Sequence, residues 1–578
     1  MYHAGTGIRT DKPRLVSPPG KSLNGACDRV PVRQEIPPGM LRIAAGTIAS
    51  SVLALLAQPV APGPQAATFF SNVDDSQQPY ALYVPTLEPD RKYPLVISLH
   101  AEDISPQISL MWTFGQTTRV ADGTLAPLRL FRPREVPFLV ASPLARGTMG
   151  YRGIAERDVY DMLADIQRRF PVDEDRVYLT GISMGGGGAL RLALTRPDVW
   201  AAVAPVSAAT PPGLEALAGN ALDLPVRLYH GEQDPLVPVE ASRQWQRRLL
   251  DLGVDAEYME YPLVRHNAWE EAYRGGALFE WLGRFRRNRF PQRVRFTTTS
   301  FEYDSAYWVR IDALTPGVAA SIDARQSGQT AVTIETRNLD GFTLALDHPV
   351  TEVQIDGAAL RVPAGSPASF RKQVGKWQRG VAAPAGKRPQ AEGPIAEAVS
   401  GRHIYVYGTA GRPSAEELAD RRREAETAAA WSTPRERLRL TLPVKADVAV
   451  TTEDLENDDL VLFGKRETNS LIARFADRFP LALSPGAADY GLLFIAPLGK
   501  HYALVNSGLP FWTGADDAGR ATDPFEKPPF AELETFGDYV VFKGSLAHVV
   551  AEGRFDRSWK LPREAAAAIT ADGTVTVK

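Results

Sequence analysis

The segment Gly181-Ile182-Ser183-Met184-Gly185 places the strongest constraint on how this chain can fold. It follows an apolar run at residues 177–180 with the pattern of a buried strand, and it precedes a run with helical character. A sharp turn from strand to helix holds its central residue in strained dihedrals and leaves no room for a Cβ atom on either side. The helix N-terminus behind the turn also favours negative charge. The pattern therefore predicts that Ser183 is a nucleophile at the end of a strand.

The sequence around this turn, residues 68–290, alternates short apolar runs with helical patterns. This alternation is typical of βαβ units and of a mostly parallel sheet. We expect strands at residues 80–84, 93–100, 138–142, 176–180, 202–206 and 226–230, and helices at residues 158–170 and 238–252. The predicted fold class is α/β, with helices flanking the sheet.

A serine nucleophile needs a base, and residues 68–290 contain three histidines. In folds built on this type of turn, the serine is followed along the chain by an acid and then by the histidine. His100 lies upstream of Ser183, and His230 ends a predicted strand that we expect it to close. His266 is therefore the predicted base, and the alternative is a surface histidine in a loop.

The acid is expected in the turn that follows the predicted strand at residues 226–230. Asp234 lies in this turn, where its carboxylate would hydrogen-bond the second ring nitrogen of His266. Glu232 and Asp223 remain alternatives for the same role.

Seven segments between residues 68 and 290 together carry a resemblance to a known family. They are residues 78–85, 94–100, 156–159, 170–178, 181–185, 230–234 and 266–269. This part of the chain resembles an α/β-hydrolase of the polyhydroxybutyrate depolymerase and feruloyl esterase type, which is related to the prolyl oligopeptidase catalytic domain. The resemblance implies a triad of Ser183, Asp234 and His266.

One departure from that family follows the predicted strand at residues 93–100. The family has a glycine after the histidine, whereas this chain reads His100-Ala101-Glu102-Asp103. The resemblance implies that main-chain amides of Met184 and of Glu102 or Ala101 stabilise an oxyanion. The two carboxylates nearby would oppose an oxyanion unless they face solvent.

The sequence pattern divides the chain into five parts. The first is an N-terminal extension at residues 1–67, and the second is the α/β-hydrolase domain at residues 68–290. Period-two apolar patterns predict an antiparallel β-rich module at residues 291–371. Residues 372–400 are rich in Gly, Pro, Ala and Lys and are predicted to be a linker. Residues 401–578 are predicted to form a small α/β module, and we expect catalysis to be separable from everything after residue 290.

Residues 40–67 within the N-terminal extension have the pattern of a secretory signal. Met40-Leu41-Arg42 is followed by an uncharged apolar stretch at residues 43–57 and then by small residues and proline. We therefore expect a secreted or periplasmic protein, with Met40 as the true start of translation. No other stretch is long and apolar enough to span a membrane, so we expect no span in the mature chain.

Charge and cysteine content limit the function classes. The 65 basic side chains nearly balance the 68 acidic ones among 578 residues, which argues against a nucleic-acid partner. The single Cys27 excludes an internal disulfide framework, and we expect no cofactor and no metal. We interpret the chain as a serine hydrolase acting on a small-molecule or polymeric ester through an acyl-enzyme. The alternatives are a serine peptidase of prolyl oligopeptidase type and a non-catalytic binding protein on a hydrolase scaffold.

Overall fold

An eight-stranded, mostly parallel sheet carries the first part of the protein. The computed structural model describes residues 61–116, 131, 133–365, 367–382, 386–432, 440–515, 530–571 and 573–578. The strands are β1 (Gly63–Ser71), β2 (Ser76–Val84), β3 (Tyr93–Leu99), β4 (Leu139–Pro143), β5 (Val172–Ile182), β6 (Ala202–Val206), β7 (Val226–Gly231) and β8 (Ala256–Tyr261). Their spatial order is β1-β2-β4-β3-β5-β6-β7-β8, and β3 to β8 run parallel. The predicted signal segment lies outside the described residues except for residues 61–67, where β1 begins.

Helices cover this sheet, and together they confirm the predicted α/β-hydrolase fold class. They are α1 (Pro106–Thr113), α2 (Ile154–Arg169), α3 (Met184–Thr195), α4 (Val239–Asp251), α5 (Trp269–Ala272) and α6 (Ala277–Leu282), with short 3₁₀ helices at Leu214–Ala221 and Arg274–Gly276. Every residue of β3, β4 and β6 is buried, as expected for parallel strands covered on both faces. Helix α2 begins four residues before its predicted start, after Gly153 at φ 52°.

Two five-stranded sheets follow and share one apolar core. Their strands are β9 (Arg293–Thr298), β10 (Ser305–Ala306), β11 (Val309–Leu314), β12 (Ala320–Gln326), β13 (Ala331–Arg337), β14 (Leu339–Leu344), β15 (Val350–Ile355), β16 (Ala358–Gly365), β17 (Ala368–Gln373) and β18 (Lys376–Arg379). A 3₁₀ helix at Phe301–Tyr303 links β9 to β10. All described strand pairs here are antiparallel except β13 with β15.

The predicted linker at residues 372–400 differs from the structure at both ends. Strand β18 lies inside it, because its Trp377 buries its ring against Phe342 in the β-rich core. A 3₁₀ helix at Ile395–Val399 also lies inside it, and Ile395 belongs to the core of the last part of the chain. The irregular segment is therefore shorter than the composition predicted.

The last part of the chain forms a seven-stranded sheet and a two-stranded one. Its strands are β19 (His403–Tyr407), β20 (Val444–Ala446), β21 (Asp459–Phe463), β22 (Leu481–Leu483), β23 (Tyr490–Leu498), β24 (His501–Gly508), β25 (Tyr539–Lys543), β26 (Ser545–Gly553) and β27 (Val575–Val577). Its helices are α7 (Ala415–Ala429), α8 (Thr452–Asn457), α9 (Ser470–Phe475), α10 (Phe530–Leu533) and α11 (Arg563–Thr570), with 3₁₀ turns at Asp447–Ala449 and Ala476–Arg478. The large sheet has the order β20-β19-β21-β24-β23-β25-β26.

Several contacts join the α/β-hydrolase part to both parts that follow it. Val73, in the turn between β1 and β2, and Ile154 of α2 belong to the same apolar cluster as Tyr405 and Phe463. Arg402 donates to the main-chain oxygen of Asn72, 330 residues away in sequence. The Tyr303 hydroxyl donates to Glu156 of α2 at 2.8 Å. Residues 61–578 accordingly form one unit by their contacts.

No described helix is long and apolar enough to cross a bilayer.

Candidate active site

Ser183 occupies the turn between β5 and α3 in a strained conformation. Its φ of 56° and ψ of −115° place a non-glycine residue in a sparsely populated region. A Cβ atom on Gly181 would lie 2.1 Å from the carbonyl oxygen of Gly185, and one on Gly185 would lie 2.3 Å from that of Leu99. Neither position thus has room for a Cβ atom, as the sequence pattern predicted, and Gly185 packs against the end of β3.

Asp234 lies in the turn after β7 with both carboxylate oxygens engaged. Oδ1 accepts the main-chain amides of Leu236 at 2.9 Å and Val237 at 3.0 Å, and Oδ2 lies 2.7 Å from Nδ1 of His266. Burial would raise the pKa of this carboxyl, but the hydrogen bonds outweigh burial and lower it from its ordinary value. Asp234 is therefore a fixed negative charge beside His266 at neutral pH.

His266 lies in the loop between β8 and α5, and its side chain is 17% exposed. Because Nδ1 is hydrogen-bonded to Asp234, the second ring nitrogen, Nε2, is the one that can accept a proton. The ring meets Trp269 edge to face, and Trp269 stacks on Trp112 of α1 with 4.6 Å between ring centroids. The stack supports the histidine ring from one side.

The segment after β6 connects Ser183 to the histidine loop. The Ala209 amide donates to the Ser183 carbonyl oxygen at 3.0 Å, and the Ser207 hydroxyl donates to the His266 carbonyl oxygen at 3.3 Å. Strands β5, β6 and β7 are adjacent and parallel, so Ser183 and Asp234 both lie at the carboxyl ends of the strands. The structure therefore brings all three predicted residues to one end of the sheet, with Asp234 and His266 in direct contact.

The two alternative acids occupy different positions. Asp223 precedes β7 and so lies toward the amino ends of the strands, away from Asp234. Burial raises the pKa of Asp223 to about 6. Glu232 is exposed and accepts the main-chain amide of Leu263 at 3.3 Å, which ties the acid loop to the histidine loop. Asp234 is the acid that contacts the His266 ring.

The predicted oxyanion donors also cluster at the carboxyl ends of the strands. Met184 is the first residue of α3, where an amide has no partner within the helix. Ala101 and Glu102 lie two and three residues after the end of β3, against which Gly185 packs. The side chains of Glu102 and Asp103 are exposed, which is the condition under which their charges would not oppose an oxyanion.

Two features of the site were missed by sequence reasoning. His230, predicted only to close a strand, has its Nε2 3.2 Å from Oδ2 of Asp234. The Trp112–Trp269 stack joins residues 157 positions apart, and a single sequence carries no signal for such a pair. The spacing of His230 four residues before Asp234 was visible, but its significance depends on how the turn folds.

No group of three or more His, Cys, Asp or Glu side chains that would bind a metal occurs in the part of the chain that the structure describes.

Comparison with known proteins supports a hydrolase. Residues 157–274 match the sequence model of the phospholipase/carboxylesterase family, and this segment contains Ser183, Asp234 and His266. This match supports a hydrolase of the carboxylesterase type.

Among solved structures, the chain is similar to a thermostable esterase, with 25% identity, a TM-score of 0.31, and coverage of 39% of this chain and 63% of that one. It is similar to an S-formylglutathione hydrolase from Agrobacterium tumefaciens, with 16% identity, a TM-score of 0.31, and coverage of 40% and 99%. It is also similar to a ferulic acid esterase from Anaeromyces mucronatus, with 19% identity, a TM-score of 0.29, and coverage of 38% and 94%. The chain thus spans less than two thirds of the thermostable esterase.

Proposed function

We propose that this protein cleaves carboxylic esters by nucleophilic attack of Ser183 on the acyl carbonyl. The observation that carries the proposal is the 2.7 Å contact between Asp234 and His266 at the end of the sheet where the strained Ser183 lies. A carboxylate on Nδ1 fixes the tautomer that leaves Nε2 as a proton acceptor, and it stabilises the imidazolium that forms. The histidine is thereby equipped to act as a general base.

In this mechanism, His266 removes the serine proton during attack and returns it to the leaving alcohol. The amide of Met184 and that of Ala101 or Glu102 stabilise the negative oxygen of the tetrahedral intermediate. Water then attacks the acyl-enzyme with His266 again acting as base, which releases the acid and restores the serine.

The experiment that tests the proposal compares Ser183→Ala with Ser484→Ala. Ser484 lies in the last part of the chain and hydrogen-bonds the main-chain oxygen of Gly573, so its variant controls for loss of a serine hydroxyl. We expect Ser183→Ala to lose about a million-fold in kcat on p-nitrophenyl esters and all labelling by a fluorophosphonate, with an unchanged circular dichroism spectrum. Retention of more than a hundredth of the activity by this variant would remove Ser183 from the site.

The choice of substrates separates the alternatives. The panel should include p-nitrophenyl esters, feruloyl esters and aminoacyl anilides. Faster cleavage of anilides than of esters would identify a peptidase. A protein that neither cleaves any substrate nor reacts with the fluorophosphonate would be a binding protein on a hydrolase scaffold.

We also propose that the protein is exported, on the basis of the signal-like pattern at residues 40–67. Cell fractionation of a host that expresses the full sequence, with N-terminal sequencing of the product, tests this. An uncleaved product confined to the cytoplasm would contradict it.

A further inference from the structure

The His230 ring is fully buried and bonded at both nitrogens. Nε2 lies 3.0 Å from the carbonyl oxygen of Val237 and 3.2 Å from Oδ2 of Asp234. Nδ1 lies 2.7 Å from the hydroxyl of Ser242, which α4 carries and which is itself buried. The ring thus links α4 to the acid of the proposed triad.

These partners determine where the proton of His230 resides. A carbonyl oxygen and a carboxylate are acceptors only, so Nε2 must carry the hydrogen, which it donates to the Val237 oxygen with the Asp234 carboxylate 3.2 Å away. Burial lowers the pKa of His230 below that of an ordinary histidine, so Nδ1 stays unprotonated at neutral pH and accepts the Ser242 hydroxyl hydrogen. His230 is therefore neutral, with the N–H of Nε2 beside the Asp234 carboxylate.

Two imidazoles consequently lie against one carboxylate oxygen. Oδ2 of Asp234 accepts Nδ1–H of His266 and lies 3.2 Å from the protonated Nε2 of His230, while Oδ1 accepts two main-chain amides. Three hydrogen bonds and one further N–H dipole therefore surround the carboxylate. Each of these N–H groups stabilises part of the negative charge, so His230 weakens the hold of Asp234 on a positively charged His266.

The other ionisable groups around His230 are engaged elsewhere. Glu260 of β8 lies beside it in the strand register, accepts the Tyr258 hydroxyl and pairs with Arg243 at 2.7 Å. Glu232 of the acid loop accepts the Leu263 amide. Asp234 is thus the carboxylate that the ring itself contacts.

From these contacts we propose that His230 is a positioning residue that holds the Asp234 carboxylate and reduces the basicity of His266. The proposal rests on the proposed function, since it requires Asp234 and His266 to act as acid and base. His230 touches no reacting atom, and its effect reaches the reaction only through Asp234.

The test measures the acid-side midpoint of the kcat/KM profile of the full chain on a p-nitrophenyl ester. In His230→Leu the donor is lost, so more negative charge faces His266, and the midpoint should move to higher pH by about half to one unit. His230→Gln keeps an N–H donor for Asp234 and should return the midpoint to within about 0.2 units of wild type. His403→Leu, which removes a buried histidine far along the chain, serves as the matched control and should leave the midpoint unchanged.

A midpoint that stays in place in a folded His230→Leu variant would overturn the proposal, as would a Gln variant that behaves like the Leu variant. If His230→Leu does not fold, ¹⁵N-histidine NMR of the wild-type chain decides instead. We expect His230 to show a protonated Nε2 and an unprotonated Nδ1 at neutral pH, and a doubly protonated ring or the opposite tautomer at that pH would overturn the proposal. An active Ser183→Ala variant would instead refute the proposed function itself.

Discussion

Substitution of Gly185 by alanine tests whether the close approach of the serine turn to β3 supports catalysis. The added Cβ would lie 2.3 Å from the Leu99 carbonyl oxygen and 2.5 Å from that of His100, whereas ordinary contacts begin near 3.4 Å. Both obstacles are backbone atoms, so α3 and the end of β3 must separate by about 1 Å. One predicted oxyanion donor, Met184, lies on α3, and the other lies just after the end of β3. A displacement of this size costs about 100-fold in rate, or about 2.7 kcal/mol.

The effect on stability should be smaller than the effect on rate. Overpacking lowers the free energy of unfolding by about 1 to 3 kcal/mol, while replacing glycine by alanine in a helix raises it by up to about 1 kcal/mol. The assay is kcat and KM on a p-nitrophenyl ester, together with the midpoint of urea unfolding. Gly486→Ala is the control, because nothing lies within 4 Å of the Cβ it would add. A folded Gly185→Ala variant with kcat/KM within threefold of wild type would refute the argument.

Three further predictions address the acid, the buried His403 and the modular organisation. Asp234→Asn should lower kcat about 10⁴-fold, whereas Glu232→Gln should stay within tenfold, and the reverse order in steady-state assays would exchange their roles. Burial lowers the pKa of His403 from 6.5 to about 4, so the unfolded chain takes up a proton there before the native state does, and stability falls as pH drops through this range. Between pH 7 and pH 4, the free energy of unfolding in urea should fall less in His403→Leu than in wild type, by on the order of 3 kcal/mol. Equal declines in the two proteins would contradict the assignment. A chain that ends at Phe290 should aggregate in light scattering, because it exposes Val73 and Ile154, and a monodisperse active product would support separable catalysis instead.

The sequence was most informative where local chemistry constrains the backbone. The glycines on either side of Ser183 and the buried strand β3 follow from requirements on single elements, and the order of Ser183, Asp234 and His266 follows from the chain order typical of folds with this type of turn. The contact of His230 with Asp234 was not predictable, because it depends on how the turn after β7 returns to the strand end. Pairing of β18 and the burial of Ile154 under residues from the last part of the chain were also missed, because both depend on contacts with distant residues.

The contact between the first hairpin and the last part of the chain has a consequence for biosynthesis. Arg402 reaches Asn72 across 330 residues, and Val73 is covered by side chains from the last part of the chain. At translation rates of about 5 to 20 residues per second, roughly 15 to 65 seconds separate the emergence of these two regions from the ribosome. During that interval this corner of the hydrolase sheet stays uncovered, so the nascent chain has a long period in which a chaperone or a translocation machinery can engage it before the structure closes.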